Sequence, residues 1–289
     1  MQSLAPGIVK FKNAIQLSDV EFYKLSRFIY SNYGINLPLA KKTLLESRLQ
    51  KHLRLSGIPS FKKYVDRICN GEEHEEVVRM INIVSTNKTD FFREKLHFEF
   101  MQKEILPAFA NVSRGREINV WCAAASSGEE PYTIAMTIDD FLANSDTRFS
   151  YKIVATDIST DMLKKGRDAI YHEDRIAPVP MEARKKYFLK SKDRSDRKVR
   201  VVKELRDKIL FKRFNLMTDN YPVQGSYDII FCRNVLIYFD KVTREKVIRK
   251  LCSSLKSGGY LFLGHSESIF GLDVPLISRQ HTCYQKLKI

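Results

Sequence analysis

The chain has 289 residues, enough for one large domain and a smaller one. It is 44% hydrophobic and 29% charged, with no apolar run of membrane-spanning length and no signal-peptide pattern at its start. That composition excludes a membrane-inserted or fibrous protein and points to a globular one in the cytoplasm. Five scattered cysteines without a C-x-x-C pair exclude a disulfide framework and lead us to expect no metal site. A formal net charge of +15 implies an acidic partner, be it nucleic acid, an anionic membrane or an acidic protein surface.

The first dozen or so residues read as a loose tail. From Ser18 the run S-D-V-E-F-Y-K-L-S-R-F-I-Y predicts a helix, with Ser18 as N-cap and Glu21 three residues on. Asn32 to Pro38 breaks it. The next helix, A-K-K-T-L-L-E-S-R-L-Q-K-H-L-R-L-S-G, is ended by Gly57. Along it Leu45, Leu49 and Leu53 form an apolar stripe, and Arg48, Lys51 and Arg54 form a basic stripe on the roughly opposite side. The basic stripe is either a solvated face or a surface for an acidic partner. Phe61 to Asn70 and Glu75 to Val84 continue as helices, so residues 14–88 read as a small, basic, all-α domain.

Residues 89–289 read differently. Helix resumes over Glu94 to Ala110, and Arg114-Gly115-Arg116 turn the chain into a first strand. The stretch N-V-W-C-A-A-A-S-S-G-E-E-P-Y-T-I-A-M then gives a buried strand, a small-residue turn and a helix with Pro131 in its first turn. Strand, tight turn and helix open a nucleotide-binding α/β domain, with the ligand above the strand's carboxyl end. Glu129 and Glu130 stand where a phosphate cradle would want bare N–H groups. Either they repel a pyrophosphate, which disfavours NAD and ATP and suits S-adenosylmethionine, or they merely cap the helix dipole. Y-K-I-V-A-T-D-I-S is the second strand. Its terminal Asp157 either holds a ribose diol or caps the helix from Thr160.

From Arg184 to Arg213 fourteen Lys or Arg stand against Asp193, Asp196, Glu204 and Asp207. This segment interrupts the alternation of strand and helix and reads as a basic β insertion over about residues 184–210. K-I-L-F-K-R-F-N-L supplies the third strand, and Y-D-I-I-F-C-R-N-V-L-I-Y-F the fourth, with Arg233 and Asn234 at its carboxyl end. A helix over Thr243 to Leu255 leads into L-K-S-G-G-Y-L-F-L-G-H-S-E, and the tail H-T-C-Y-Q-K-L-K closes the sheet antiparallel. The expected fold is a Rossmann-like α/β domain, a mostly parallel sheet with an antiparallel edge.

Four motifs in this order, T-N-K-T-D-F-F-R-E, W-C-A-A-A-S-S-G-E-E-P-Y, F-C-R-N-V-L-I-Y-F and L-F-L-G-H-S-E, resemble those of the CheR-type chemoreceptor glutamate methyltransferases. The resemblance covers nearly the whole chain. It implies methyl transfer from S-adenosylmethionine to receptor glutamates, giving glutamyl methyl esters and S-adenosylhomocysteine. Carried over by motif, the cofactor contacts are Asn87, Thr89, Arg93, Glu130, Asp157, Asn215, Leu216, Arg233 and Asn234, with Arg93 and Tyr238 beside the reacting centre. His265 is left structural. The basic second helix would face the acidic helical cytoplasmic region of a receptor, which implicates Arg48, Lys51 and Arg54. In some members the β insertion docks on a receptor's C-terminal peptide through a glycine-containing loop; here that loop reads K-S-K-D-R-S-D-R-K. A monomer that binds no nucleic acid and inserts in no membrane is expected. Two rivals stay open: a nucleic-acid methyltransferase and a non-catalytic S-adenosylmethionine-binding scaffold. The first would more often carry N/D-P-P-Y/F or a Pro-Cys dipeptide, and neither is present.

Overall fold

The structure, a computed structural model, describes residues 16–70, 73–112, 116–221 and 225–287. The expected N-terminal tail and residues 114 and 115 of the turn into the first strand lie outside them. The chain divides into two compact units, between Thr86 and Asn87.

The first unit is helical. Helix α1 (Asp19–Tyr33) starts at a capping box, in which Glu21 N–H donates to Ser18 Oγ at 3.3 Å and Ser18 N–H donates to Glu21 Oε2 at 2.8 Å. It ends at Gly34, whose φ of 71° is the left-handed cap. A short 3₁₀ turn leads into α2 (Lys42–Leu55), followed by α3 (Phe61–Cys69) and α4 (His74–Val84). The stripe Leu45, Leu49, Leu53 is buried, as are Phe22, Leu25 and Ile29 of α1 and Val77, Met80, Ile81 and Val84 of α4. Helix α1 packs on α3 and α2 on α4. With no exposure at Leu49, truncation to Ala there would cost about 2–5 kcal/mol.

The second unit opens with α5 (Leu96–Phe100), a π-helical turn (Met101–Ile105) and α6 (Leu106–Val112). Then follow β1 (Glu117–Cys122), α7 (Glu129–Ala143), β2 (Ser150–Asp157), α8 (Thr160–Asp168), β3 (Ile170–His172), α9 (Met181–Tyr187), β4 (Phe188–Lys190), β5 (Lys198–Val201), α10 (Lys203–Arg206) and β6 (Ile209–Arg213). The chain closes with β7 (Tyr227–Cys232), α11 (Lys241–Ser254), β8 (Leu255–Leu263), β9 (Leu276–Gln280) and β10 (Cys283–Lys286).

Seven strands form one sheet in the order β6-β2-β1-β7-β8-β10-β9, parallel from β6 to β8. Strand β7 is buried at every residue, as a central parallel strand covered on both faces must be. Its alternation sorts the core: Ile229 and Phe231 join one apolar cluster, and Ile230 and Cys232 the other. The tail strand β10 is antiparallel but lies inside β9, pairing with β8 on its other side. The outermost position falls to β9, of which only Leu276 is buried.

A separate three-stranded antiparallel sheet, β3-β5-β4, carries much of the basic segment. It begins upstream of the expected insertion, because β3 contributes Ile170–His172, and it ends earlier, because Ile209–Arg213 belong to the main sheet. No helix among the described residues is long and apolar enough to cross a membrane. All five cysteines are free thiols.

Candidate active site

The carboxyl ends of β1, β2 and β7 meet where three irregular segments converge. After β1, Ala125 N–H donates to Thr156 O at 2.9 Å. Ser126 takes φ 47° and donates its N–H to Asp157 Oδ2 at 2.8 Å. Gly128 has φ 99°, and a Cβ there would lie 2.9 Å from both the Gly166 Cα and the Tyr171 hydroxyl. Only glycine meets both conditions. Helix α7 follows at once, with Pro131 in its first turn.

Asp157 is anchored at both oxygens, since Ser159 N–H donates to its Oδ1 at 2.9 Å. The α8 cap is Ser159, whose Oγ accepts from Met162 N–H. Asp157 is therefore not the side-chain cap of that helix. Burial raises its carboxyl above the ordinary value, against the backbone donors of Ser159, Ser126 and Ile158. Each oxygen keeps a further acceptor site. Buried and acidic, this carboxylate stands at a strand end beside a small-residue turn.

The two glutamates at the start of α7 are not bare. Glu129 Oε1 takes Arg175 Nη2 at 2.8 Å, and Glu129 Oε2 takes Ser127 Oγ at 2.7 Å. Glu130 Oε2 takes Arg233 Nη1 at 2.7 Å, while its Oε1 accepts from Cys122 Sγ at 3.0 Å. Repulsion of a pyrophosphate by unpaired carboxylates is thus not how this turn selects its ligand. Each carboxylate is neutralised by an arginine from elsewhere in the chain.

The T-N-K-T-D-F-F-R-E segment lies across the same helix start. Asn87 O accepts from Ser126 Oγ at 3.0 Å, Thr89 O from Arg175 Nη2 at 2.5 Å, and Phe92 N–H donates to Thr133 Oγ1 at 3.2 Å. Arg93 is half-buried and donates to Lys88 O at 2.8 Å. It does not pair with Glu94, which belongs to Arg233. Arg233 is 4% exposed and spans the site, its Nη2 reaching Glu94 Oε2 at 2.8 Å and Arg93 O at 2.6 Å. Asn234 Nδ2 adds a bond to Glu94 Oε1 at 3.1 Å. Burial pushes the Glu94 carboxyl up, but the bond and charge of Arg233, with Asn234 and His265, outweigh it and hold the group at about 2.

Glu267 fixes the third segment. Buried to 2% exposure, it accepts from Gly264 N–H at 2.6 Å, Asn234 N–H at 2.9 Å and Leu236 N–H at 2.7 Å. A Cβ on Gly264 would fall 2.5 Å from Asn234 Nδ2, so the two loops need that glycine to approach. Glu267 thereby sets the 3₁₀ turn Leu236–Tyr238, and with it half-buried Tyr238. Asn215 and Leu216 follow β6; Asn215 Oδ1 accepts from Met217 N–H at 3.0 Å, and Leu216 is buried. Phe214 N–H, just before them, donates to Asp157 O at 3.0 Å.

Among the described residues seven non-glycine positions have positive φ, and Phe92, Glu94, Ser126 and Asn234 are four of them. Strain concentrated in this way marks a built site. Glu94 and Glu267 were absent from the expected site residues although both stand inside quoted motifs; Arg175 carries no signal in the sequence.

The family is decided by direct comparison. Residues 87–284 match the CheR methyltransferase, SAM binding domain, and residues 20–85 match the CheR methyltransferase, all-alpha domain. The chain belongs to the CheR methyltransferase family. A chemotaxis protein methyltransferase of Borreliella burgdorferi is 40% identical over 91% of this chain and 93% of its own length. The chemotaxis protein methyltransferase of Escherichia coli is 37% identical over 96% and 94%, and chemotaxis protein methyltransferase 2 of Pseudomonas aeruginosa 37% over 93% of each. This CheR-family chain is an S-adenosylmethionine-dependent methyltransferase, and the seven-stranded sheet lies within the matched SAM binding domain.

In the helical unit the three basic candidates separate. Lys51 and Arg54 are exposed. Arg48 is half-buried, and its Nη1 donates to Val84 O at 2.6 Å at the end of α4. It closes that helix by satisfying a terminal carbonyl.

Proposed function

We propose that this CheR-family protein methylates glutamate side chains of chemotaxis receptors, forming glutamyl methyl esters in the cytoplasm as a monomer. What carries the reading is the Arg233 bridge. It ties the F-F-R-E turn to the S-S-G-E-E turn, and Glu267 ties the C-R-N-V loop to G-H-S-E, so all four motifs meet around one end of the sheet. Asp157 would hold the ribose. Asn87, Thr89, Arg93, Asn215, Leu216 and Asn234 would line the rest of the cofactor, with Glu130 and Arg233 as the charged wall behind them. The cofactor supplies an electrophilic methyl group on its sulfonium. A substrate glutamate with an ordinary carboxyl near 4.3 is ionised at neutral pH and needs no base. Its oxygen forms the new C–O bond as the C–S bond breaks, and S-adenosylhomocysteine leaves. The residues of the chain therefore position rather than deprotonate. Tyr238 orients the carboxylate through its hydroxyl, and Arg93 fixes cofactor and carboxylate together.

The partner surface is α2, where Lys51 and Arg54 meet an acidic receptor helix and Arg48 steadies the helix beneath them. The β4–β5 loop, K-S-K-D-R-S-D-R-K, lacks the glycine of peptide-docking relatives, so binding of a receptor C-terminal peptide is not part of the proposal. The test is to incubate the protein with methyl-labelled S-adenosylmethionine and a cytoplasmic receptor fragment, then treat the product with mild base. Esters release labelled methanol. Base-stable label, label on added tRNA or duplex DNA, or cofactor binding without turnover would each overturn the proposal.

A further inference from the structure

At the Glu94 end of the Arg233 bridge stand two histidines that the methyl transfer leaves unused. Glu94, His97 and His265 bring one carboxylate oxygen and two imidazole nitrogens within 4.8 Å of one another. His97 Nδ1 lies 3.7 Å from Glu94 Oε2, and His265 Nε2 lies 3.9 Å from the same oxygen. His97 has no exposed surface, and its Nδ1 has no hydrogen-bond partner.

The tautomer of His97 follows from its other nitrogen. Thr282 Oγ1 donates its only proton to Leu263 O at 2.7 Å. The 3.2 Å contact between Thr282 Oγ1 and His97 Nε2 must then have the imidazole as donor. With Nε2 protonated, neutral His97 presents a bare lone pair at Nδ1. That lone pair lies 3.7 Å from Glu94 Oε2, which already accepts from Arg233, and has no hydrogen-bond partner of its own. A metal ion between the two would give Nδ1 the partner it lacks and take up a remaining lone pair of the carboxylate. A hydroxyl accepting the far N–H of a histidine is also the outer support that metal-bound imidazoles use.

We propose that Glu94 Oε2, His97 Nδ1 and His265 Nε2 form a binding site for a divalent transition-metal ion of the zinc class. Metal–ligand bonds of about 2.0–2.1 Å set tetrahedral ligand atoms roughly 3.4 Å apart, so all three atoms draw in slightly, and exposed His265 is the freest to do so. Two imidazoles with one carboxylate select zinc-class ions over magnesium or calcium. Water completes the shell. Asn234 holds the other carboxylate oxygen of Glu94 and so orients this ligand from outside. The three ligands come from the F-F-R-E turn, α5 and the G-H-S-E loop, so the ion joins two of the segments that frame the active site. Scattered cysteines gave no hint of it, because its donors are histidines 168 positions apart in the sequence.

Cobalt(II) is the probe, titrated into the full-length protein and read by its visible d–d absorption. The wild type should show a saturable band at one equivalent, bleached by zinc and unaffected by excess magnesium. His265→Ala removes an exposed ligand and should lose the band, with metal affinity down at least ~10-fold. Zinc should also raise the thermal midpoint of the wild type by several degrees and leave that of His265→Ala unmoved, because only the folded wild type gains a ligand. No band at about millimolar cobalt, an unchanged band in His265→Ala, or a thiolate-to-cobalt charge-transfer band pointing to cysteine ligands would each overturn the assignment.

Discussion

The two ends of the main sheet handle buried carboxylates in different ways. At the amino end, Asp228 takes Asn119 N–H at 2.9 Å, Arg116 at 2.8 Å and Lys256 at 2.7 Å. Two of those partners are long surface side chains, and no residue of the group has positive φ. At the carboxyl end, Glu94 and Glu130 share one buried arginine, while Asp157 and Glu267 each accept from two or more backbone N–H groups. Flexible partners from the surface suit a lock. Rigid backbone donors and strained residues suit a site whose geometry must be set before the ligand arrives. The amino end holds the sheet together, and the carboxyl end has the features of a site for chemistry.

Removing Arg233 should break that contrast most severely. Arg233→Ala leaves Glu94 and Glu130 buried without a cation, an expected loss of about 3–5 kcal/mol in urea unfolding. Methyl transfer should vanish with it. A stable, active Arg233→Ala would mean the bridge is incidental. Asp157→Ala comes next. It should weaken S-adenosylmethionine binding by about 2–4 kcal/mol in calorimetry, because the diol loses charged acceptors and Ser126 N–H loses the partner that shapes the turn. Arg93→Ala should then lower the rate on the order of 10²-fold, and Tyr238→Phe by a smaller factor, both with folded stability near that of the wild type. At the opposite end, Asp228→Asn should cost about 1–3 kcal/mol of stability with cofactor affinity and rate unchanged. A loss of cofactor affinity there would erase the division between the two ends.

Much of this was legible in the sequence, and the exceptions share a cause. The Ser18 cap, the Leu45–Leu49–Leu53 stripe, the small-residue turn and Asp157 are local patterns, set by neighbours within a few positions. The Arg233 bridge is not local: its carboxylates lie 139 and 103 positions away. Glu94 stands next to Arg93 in the sequence, yet with its positive φ it pairs with Arg233. Glu267 was hidden for a further reason, since it acts on backbone N–H groups, which carry no letter code. Arg48 adds a contact that the spacing did not show: besides sharing a side of α2 with Lys51 and Arg54, it donates to Val84 O at the end of α4. The small sheet starts early because β5 needs partners on both edges, and the chain supplies one from Ile170–His172, before the basic run begins.

The least of the expected effects is one of slope, and it separates the two ways in which the active end holds a carboxylate. Glu94 sits at about 2, below its ordinary value of 4.5. The unfolded chain therefore takes up this proton more readily than the folded one. The stability that Glu94 contributes is complete above about pH 4.5 and is lost as the pH falls toward 2. Asp157 and Glu267 have the opposite sign, because burial raises both despite their backbone donors. Between the ordinary carboxylate value and their raised ones, the folded state holds more protons than the unfolded state, so stability falls as pH rises through that window. Replacing Glu94 by Gln removes the first term and leaves the second. Plotted against pH from 2 to 4.5, the unfolding free energy of Glu94→Gln should rise less steeply than that of the wild type. Equal slopes for the two proteins over that range would mean that Arg233 does not hold Glu94 ionised, and the electrostatic basis of the bridge would fall with them.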